Sequence, residues 1–323
     1  INGILSFQLT PGAWLETRAF WDGFFNPTYV SSLFVRTFYA IGIAGLFALW
    51  TLTRSDSSQD QQSRLRMIRG AGIWSAVGVG LAAVCTLWWW SDVPESIRAL
   101  TGGDLPIATM VTQRTPQLAA LLAVLVIAFP LALPRRTNRA VATLLLLVGL
   151  GLMTTGEWAR ESIRKPFIIY DYMYSNGVII DEVEALREEG IAARSSWVDA
   201  DEADPVVLGE QVFRAACQNC HARDGYNGLA GRVAHWDEEF ISGMTQRTEY
   251  MRRVMPPWVG TPGEADALAA YLVTLKPDDV APPADGEDVF EVRCGSCHSP
   301  VSYTHLTLPT IILPCRSRWS PGH

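Results

Sequence analysis

The chain has 323 residues, 49% of them hydrophobic and 18% charged, with a net charge of −7 and six cysteines. That balance leaves no basic footprint for nucleic acid, which is not expected as a partner, and it fits either a soluble multidomain protein or a mixed membrane and soluble one. The placement of charge favours the second: residues 1–170 hold 9 acidic against 14 basic residues among long apolar runs, whereas residues 181–210 hold 10 acids against Arg187 and Arg194 alone.

In chain order, Ile1 stands without an initiator Met and without the basic, apolar and small-residue regions of a signal peptide, so an N-terminal part is expected to be missing. Four segments are apolar enough to cross a bilayer, which takes about 20 helical residues: Tyr29 to Leu52, Ile73 to Trp90, Leu118 to Leu133 and Ala140 to Met153. The last two are short and are expected to extend into their flanks. The loop after the first span carries Arg54, Arg64, Arg66 and Arg69, and that after the third carries Arg135, Arg136 and Arg139. Positive charge marks the cytoplasmic side, so residues 92–117 and everything after the fourth span are expected outside.

Cys85 sits alone in the second span and reads as a small hydrophobe of a helix interface. Arg36, near the outer end of the first span, and the run Gly156 to Phe167, at the outer end of the fourth, place ionisable groups where they are costly. Glu157, Glu161 and Arg164 share one helical face by their spacing of four and three. Haem propionates or a quinone head group would be natural partners, and a salt-bridged helix end is the alternative.

Residues 171–206 read as an acidic connector, 207–277 as a small helical domain, and 286–300 as the start of a second one after a Pro- and Asp-rich linker. The two share Gly-x-x-Val-Phe ahead of Cys-x-x-Cys-His: Gly209 to Phe213 before Cys217, and Gly286 to Phe290 before Cys294. In Cys217-Gln218-Asn219-Cys220-His221 the spacing lets two thiols add to the two vinyl groups of one haem while the adjacent His221 turns to its iron. A zinc site or a thioredoxin-like pair is the competing reading, weakened by the repetition. Cys294, Cys297 and His298 are expected to hold a second haem c. Overall, the expected fold class is all-α: a transmembrane bundle of four spans, a small helical domain and a truncated second one.

The first of these domains resembles the class I cytochrome c family over about seventy residues. The resemblance rests on Val212 and Phe213 in the opening helix, the Asn227-Gly228-Leu229 turn, Met255-Pro256-Pro257-Trp258, and the closing helix Glu264 to Leu275. It implies that Met255 supplies the sixth iron ligand, with Met251 as its rival. A His/Met sphere leaves no open position and raises the potential, which suits electron relay. His235 then reads as a surface or propionate-side residue.

Residues 1 to about 175 resemble the C-terminal half of subunit I of cytochrome bd quinol oxidase. The resemblance rests on Asn2-Gly3, Pro11-Gly12, Asn26-Pro27, Phe34-Val35-Arg36-Thr37 and Glu161-x-x-Arg164-Lys165-Pro166-Phe167. It puts Glu161 in the place of a high-spin haem ligand, with Arg164 beside it, and so implies haem b or d in the membrane domain. Arg36 stands where that family has a haem-ligating His, and a guanidinium cannot bind iron. The outer loop is also much shorter than that family's quinol-binding loop. Residues 301–323 resemble the translation of a DNA-sequencing adapter and are read as an artefact tail, which removes Cys315, His305 and His323 from consideration.

These readings make the chain a subunit of a membrane-bound oxidoreductase that relays electrons between the quinone pool and an external electron-transfer protein. A bacterial inner membrane, with the haem c domains on its outer face, is the expected location, and a second membrane subunit is an expected partner beside the lipid. A non-catalytic membrane-anchored cytochrome c is the alternative. A terminal oxygen reductase is another, given a high-spin haem site in the missing N-terminal part.

Overall fold

The structure is a computed structural model that describes residues 1–54, 61–100, 106–225, 227–251, 254–278, 280 and 284–293, for 106–112 and 291–293 as backbone alone. It divides into two compact units, Ile1–Arg164 and Lys165–His323.

The first unit opens with three short helices, α1 (Asn2–Leu9), α2 (Trp14–Thr17) and α3 (Phe20–Phe24). Long helices follow: α4 (Tyr29–Leu52), α5 (Gln61–Asp92), the short α6 (Glu95–Ala99), α7 (Pro106–Val126) and α8 (Arg139–Arg164). Four of its helices are long and apolar enough to cross a membrane. The 24 residues of α4 rise about 36 Å, enough for a hydrocarbon core of about 30 Å. Large apolar side chains such as Ile73, Val84, Leu87, Val124 and Leu147 are exposed along these helices, as lipid-facing positions would be.

Lipid gives apolar side chains no reason to leave it, so helix pairs rely on close backbone approach. A Cβ on Gly78 would fall 2.4 Å from the Gly42 nitrogen, and one on Gly45 2.5 Å from Ser75 Oγ. These small residues let α4 and α5 touch along their backbones, while Tyr39 ties α4 to α8 by donating its hydroxyl to the Gly149 carbonyl at 2.6 Å. After Val126 the chain widens into a π turn, Ile127–Ala132, around Pro130, whose missing N–H breaks the α ladder.

The first span, Tyr29 to Leu52, coincides with α4. The fourth, Ala140 to Met153, was expected to extend into its flanks, and α8 does so, running on to Arg164. Its charged last turns are paired with one another, so they continue the helix, and Pro166 then ends it because the residue before a proline is driven out of the α region. The first unit accordingly stops at Arg164, short of the expected residue 170.

The second unit starts with a hairpin, β1 (Phe167–Ile169) paired antiparallel with β2 (Met173–Tyr174). Then come a 3-10 turn (Ile180–Glu182), α9 (Val183–Glu189), α10 (Pro205–Val212) running into a π turn (Phe213–Cys217), α11 (Glu238–Thr245), α12 (Thr248–Met251), α13 (Pro262–Thr274) and α14 (Gly286–Arg293). Asp204 caps α10, accepting from Val206 N at 2.8 Å, and Pro205 stands at the first helical position, where no donor is needed. Crossing helices α10 and α13 form the centre of the core. A Cβ on Gly209 would lie 2.0 Å from the Ala267 carbonyl oxygen, so only glycine allows this approach. Beside that crossing Phe213 and Tyr271 bring their rings to 5.7 Å.

The stretch read as a connector, 171–206, belongs to this core: Val178, Val183, Leu186, Ile191 and Val198 are buried in it with Val212, Phe213 and Leu268. Its acidic residues set the composition, but the apolar residues among them set the packing.

Candidate haem-attachment site

Helix α10 and its π turn deliver Cys217, after which the chain tightens: Cys220 N and His221 N both donate to the Cys217 carbonyl, at 3.0 and 2.9 Å. This turn presents Cys220 on the exposed side and Cys217 half-buried. Burial pushes the Cys217 thiol up to about 12, with the neighbouring Cys220 adding to it, so this sulfur is a protonated thiol at neutral pH.

His221 is held by its far nitrogen. Nδ1 lies 3.1 Å from the Asn227 carbonyl oxygen, and because a carbonyl only accepts, Nδ1 carries the proton. Nε2 is then the nitrogen with a free lone pair, the tautomer an iron ligand needs. Burial holds the His221 pKa below its ordinary value, outweighing the Asn227 hydrogen bond that raises it, and the nearby Arg232 lowers it further. The neutral ring is therefore favoured, as metal ligation requires.

Asn227 takes up the left-handed region, φ 57°, and ties the loop twice more: its amide donates to the Cys220 carbonyl, and its Oδ1 accepts from Arg232 at 2.9 Å. Gly228 fits beside it because a Cβ there would lie 2.5 Å from the Asp224 backbone. The sequence marks Asn227 as a turn residue, whereas its role in orienting His221 comes from the folded loop.

Met255 is half-buried at the start of the extended segment that leads through Pro256, Pro257 and Trp258 to α13. Met251, its rival, packs against the apolar core. Trp258 is buried, and its indole N–H has no acceptor among the described residues. The donor set fits a haem: two thiols at the attachment spacing, a histidine of the right tautomer, a thioether on a separate segment, and a buried donor suited to a carboxylate such as a propionate. Among the described residues no three His, Cys, Asp or Glu side chains group to hold a bare metal ion. His235 takes no part in these interactions, while Cys294, Cys297 and His298 lie outside the described residues.

Residues 204–272 match one family model, that of Cytochrome C oxidase, cbb3-type, subunit III. This is a cytochrome c domain. It implies covalent haem c and a role in electron transfer, on a chain whose four apolar helices mark it as a membrane protein. No curated protein and no solved structure matches the chain.

In the first unit the fold gathers the expected ionic residues into a ladder. Arg36 Nη2 meets Glu157 Oε1 at 3.0 Å, and its Nη1 donates to Asn2 Oδ1. Arg160 reaches Glu157 at 2.9 Å, Glu161 at 3.7 Å and the Leu5 carbonyl at 3.2 Å, and Arg164, 3% exposed, pairs with Glu161. Glu161 and Arg164 thus stand together, as their spacing implies. Asn2 and Arg160 were named only within the resemblance and the charged run; their part in the ladder depends on α1, α4 and α8 meeting.

Proposed function

We propose that this chain is the haem c-bearing subunit of a bacterial inner-membrane oxidoreductase, passing electrons between the quinone pool and an external electron-transfer protein. The observation that carries the reading is the His221 tautomer fixed by the Asn227 carbonyl inside Cys-x-x-Cys-His, on a chain with four membrane-length helices. Covalent haem c supplies a one-electron iron couple. Around it the residues would have separate tasks: Cys217 and Cys220 would fix the group, Asn227 would orient His221, Met255 would supply a further iron ligand, and the packed core of α10 and α13 would exclude water. A filled His/Met sphere disfavours oxygen binding, so we assign relay rather than oxygen reduction to this domain.

The quinone link rests on the ladder from Arg36 to Arg164 and on the resemblance of residues 1–175 to cytochrome bd subunit I. Three guanidiniums against two carboxylates leave one positive charge in excess, which suits a quinone head group or a propionate of haem b or d. Cys294, Cys297 and His298 would carry a second haem c, and a second membrane subunit would complete the enzyme. Membranes containing the chain should reduce the haem c absorption band on addition of a quinol; no quinol-dependent reduction would sink the quinone link.

A membrane-anchored cytochrome without quinone chemistry is the second reading, favoured by the mutual pairing of the ladder's charges. Glu161→Ala and Arg164→Ala distinguish the two, because a tether keeps its electron-transfer rate after either change.

A further inference from the structure

Residues 178–198 precede the family-matched segment 204–272, and the haem-attachment motif makes no use of them. They nevertheless pack into the same core and reach the segment that carries Met255. Arg187, on α9, donates from Nε to the Trp258 carbonyl at 3.1 Å, from Nη2 to Glu249 at 2.9 Å and from Nη1 to Glu184 at 3.0 Å. Glu264, only 7% exposed, accepts from Ile191 N at 3.0 Å, Ala192 N at 2.9 Å and Thr261 N at 2.7 Å. Thr248 Oγ1 donates to the Pro256 carbonyl at 2.8 Å.

The segment after Met255 is therefore pinned at Pro256, Trp258 and Thr261. It needs such partners. Pro256 and Pro257 have no N–H, and the stretch has no helix or strand ladder of its own. Gly190 makes the Glu264 contact possible: at φ 89°, a Cβ there would lie 2.8 Å from Glu264 Oε2.

A thioether is a weak, neutral ligand, and its hold on iron depends on how little conformational freedom its loop must lose. We propose that the 178–198 segment is a strap that locks the Met255 loop, with Arg187 and Glu264 as positioning residues that keep the thioether ahead of competing ligands. The proposal rests on the reading of Met255 as the sixth ligand.

The test is a titration of the haem-loaded full chain in its ferric state with imidazole, following the weak far-red band that marks sulfur bound to iron. Arg187→Gln removes the charge-assisted bond to Trp258 and should tighten apparent imidazole binding about tenfold. Glu264→Gln should move it the same way. Arg187→Lys should fall between, since one ammonium cannot reach three acceptors in a fixed fork. Arg194→Gln, which breaks the Arg194–Glu182 pair on the same strap, should titrate as wild type.

An Arg187→Gln curve that overlays wild type overturns the proposal even if its unfolding temperature drops, and so does an Arg194→Gln curve that matches Arg187→Gln. If Glu264→Gln fails to take up haem, Arg187→Gln decides alone, because its side chain is 37% exposed and Glu249, the partner it leaves, keeps about a quarter of its side chain in solvent. Met255→Ala separates the other failure: persistence of the far-red band there removes the ligand assignment itself.

Discussion

The two units carry their chemistry in opposite ways. In the cytochrome unit the attachment chemistry lies in five consecutive residues, Cys217 to His221, and one turn of backbone sets its geometry. In the membrane unit the polar chemistry is spread from Asn2 to Arg164 and exists only once α1, α4 and α8 have met. Their buried charges differ as well. Arg164 is held by another side chain, while Glu264 is held by three backbone N–H groups. A charge satisfied by main chain is as rigid as the fold around it; a charge satisfied by a flexible side chain needs the rest of a network.

The largest effect that could break this contrast is at the local motif. Cys217→Ala with Cys220→Ala should abolish covalent haem, read as loss of haem peroxidase staining after denaturing electrophoresis, while the membrane unit still inserts. Any staining left in that variant would have to come from Cys294 and Cys297, which would count the second haem directly.

Next comes the ladder. Arg164→Ala strands Glu161, but Glu161 keeps Arg160 at 3.7 Å and is about one-third exposed. The penalty should therefore lie below that of breaking a fully buried pair, about 2 kcal/mol, seen as a lower unfolding midpoint in detergent with haem c staining unchanged. A fall in haem c staining would show that the two units do not fold independently, and the contrast would need revision.

The smallest effect is at the cap of α10. Asp204→Ala removes the acceptor of Val206 N, which should cost about 1 kcal/mol of cytochrome-unit stability by denaturant titration and leave the far-red band in place.

Much of this was legible beforehand, and the reasons are local. The first span matches its helix because apolar composition and length alone fix a transmembrane segment. The closing helix, expected from Glu264 to Leu275, lies at Pro262–Thr274, its start held by a capping box between Thr261 and Glu264. How far the fourth span extends past Met153 was not legible, since the charges that follow look like a helix terminus until their pairing is known. The strap was misjudged as a connector for the converse reason. Five acids mark its composition, and the five apolar residues that bury it are too dispersed to show a helical stripe.

By itself the sequence determined the membrane-length helices, from continuous apolar runs, and the Cys217 to His221 attachment motif with the haem chemistry it implies, from five adjacent residues. Tertiary structure alone decided that Asn227 fixes the His221 tautomer, that Arg187 and Glu264 grip the Met255 loop, and that Arg36 closes the ladder with Glu157. Each of these joins atoms that only chain closure brings within hydrogen-bonding range, and hydrogen bonds fade within a few tenths of an ångström beyond it.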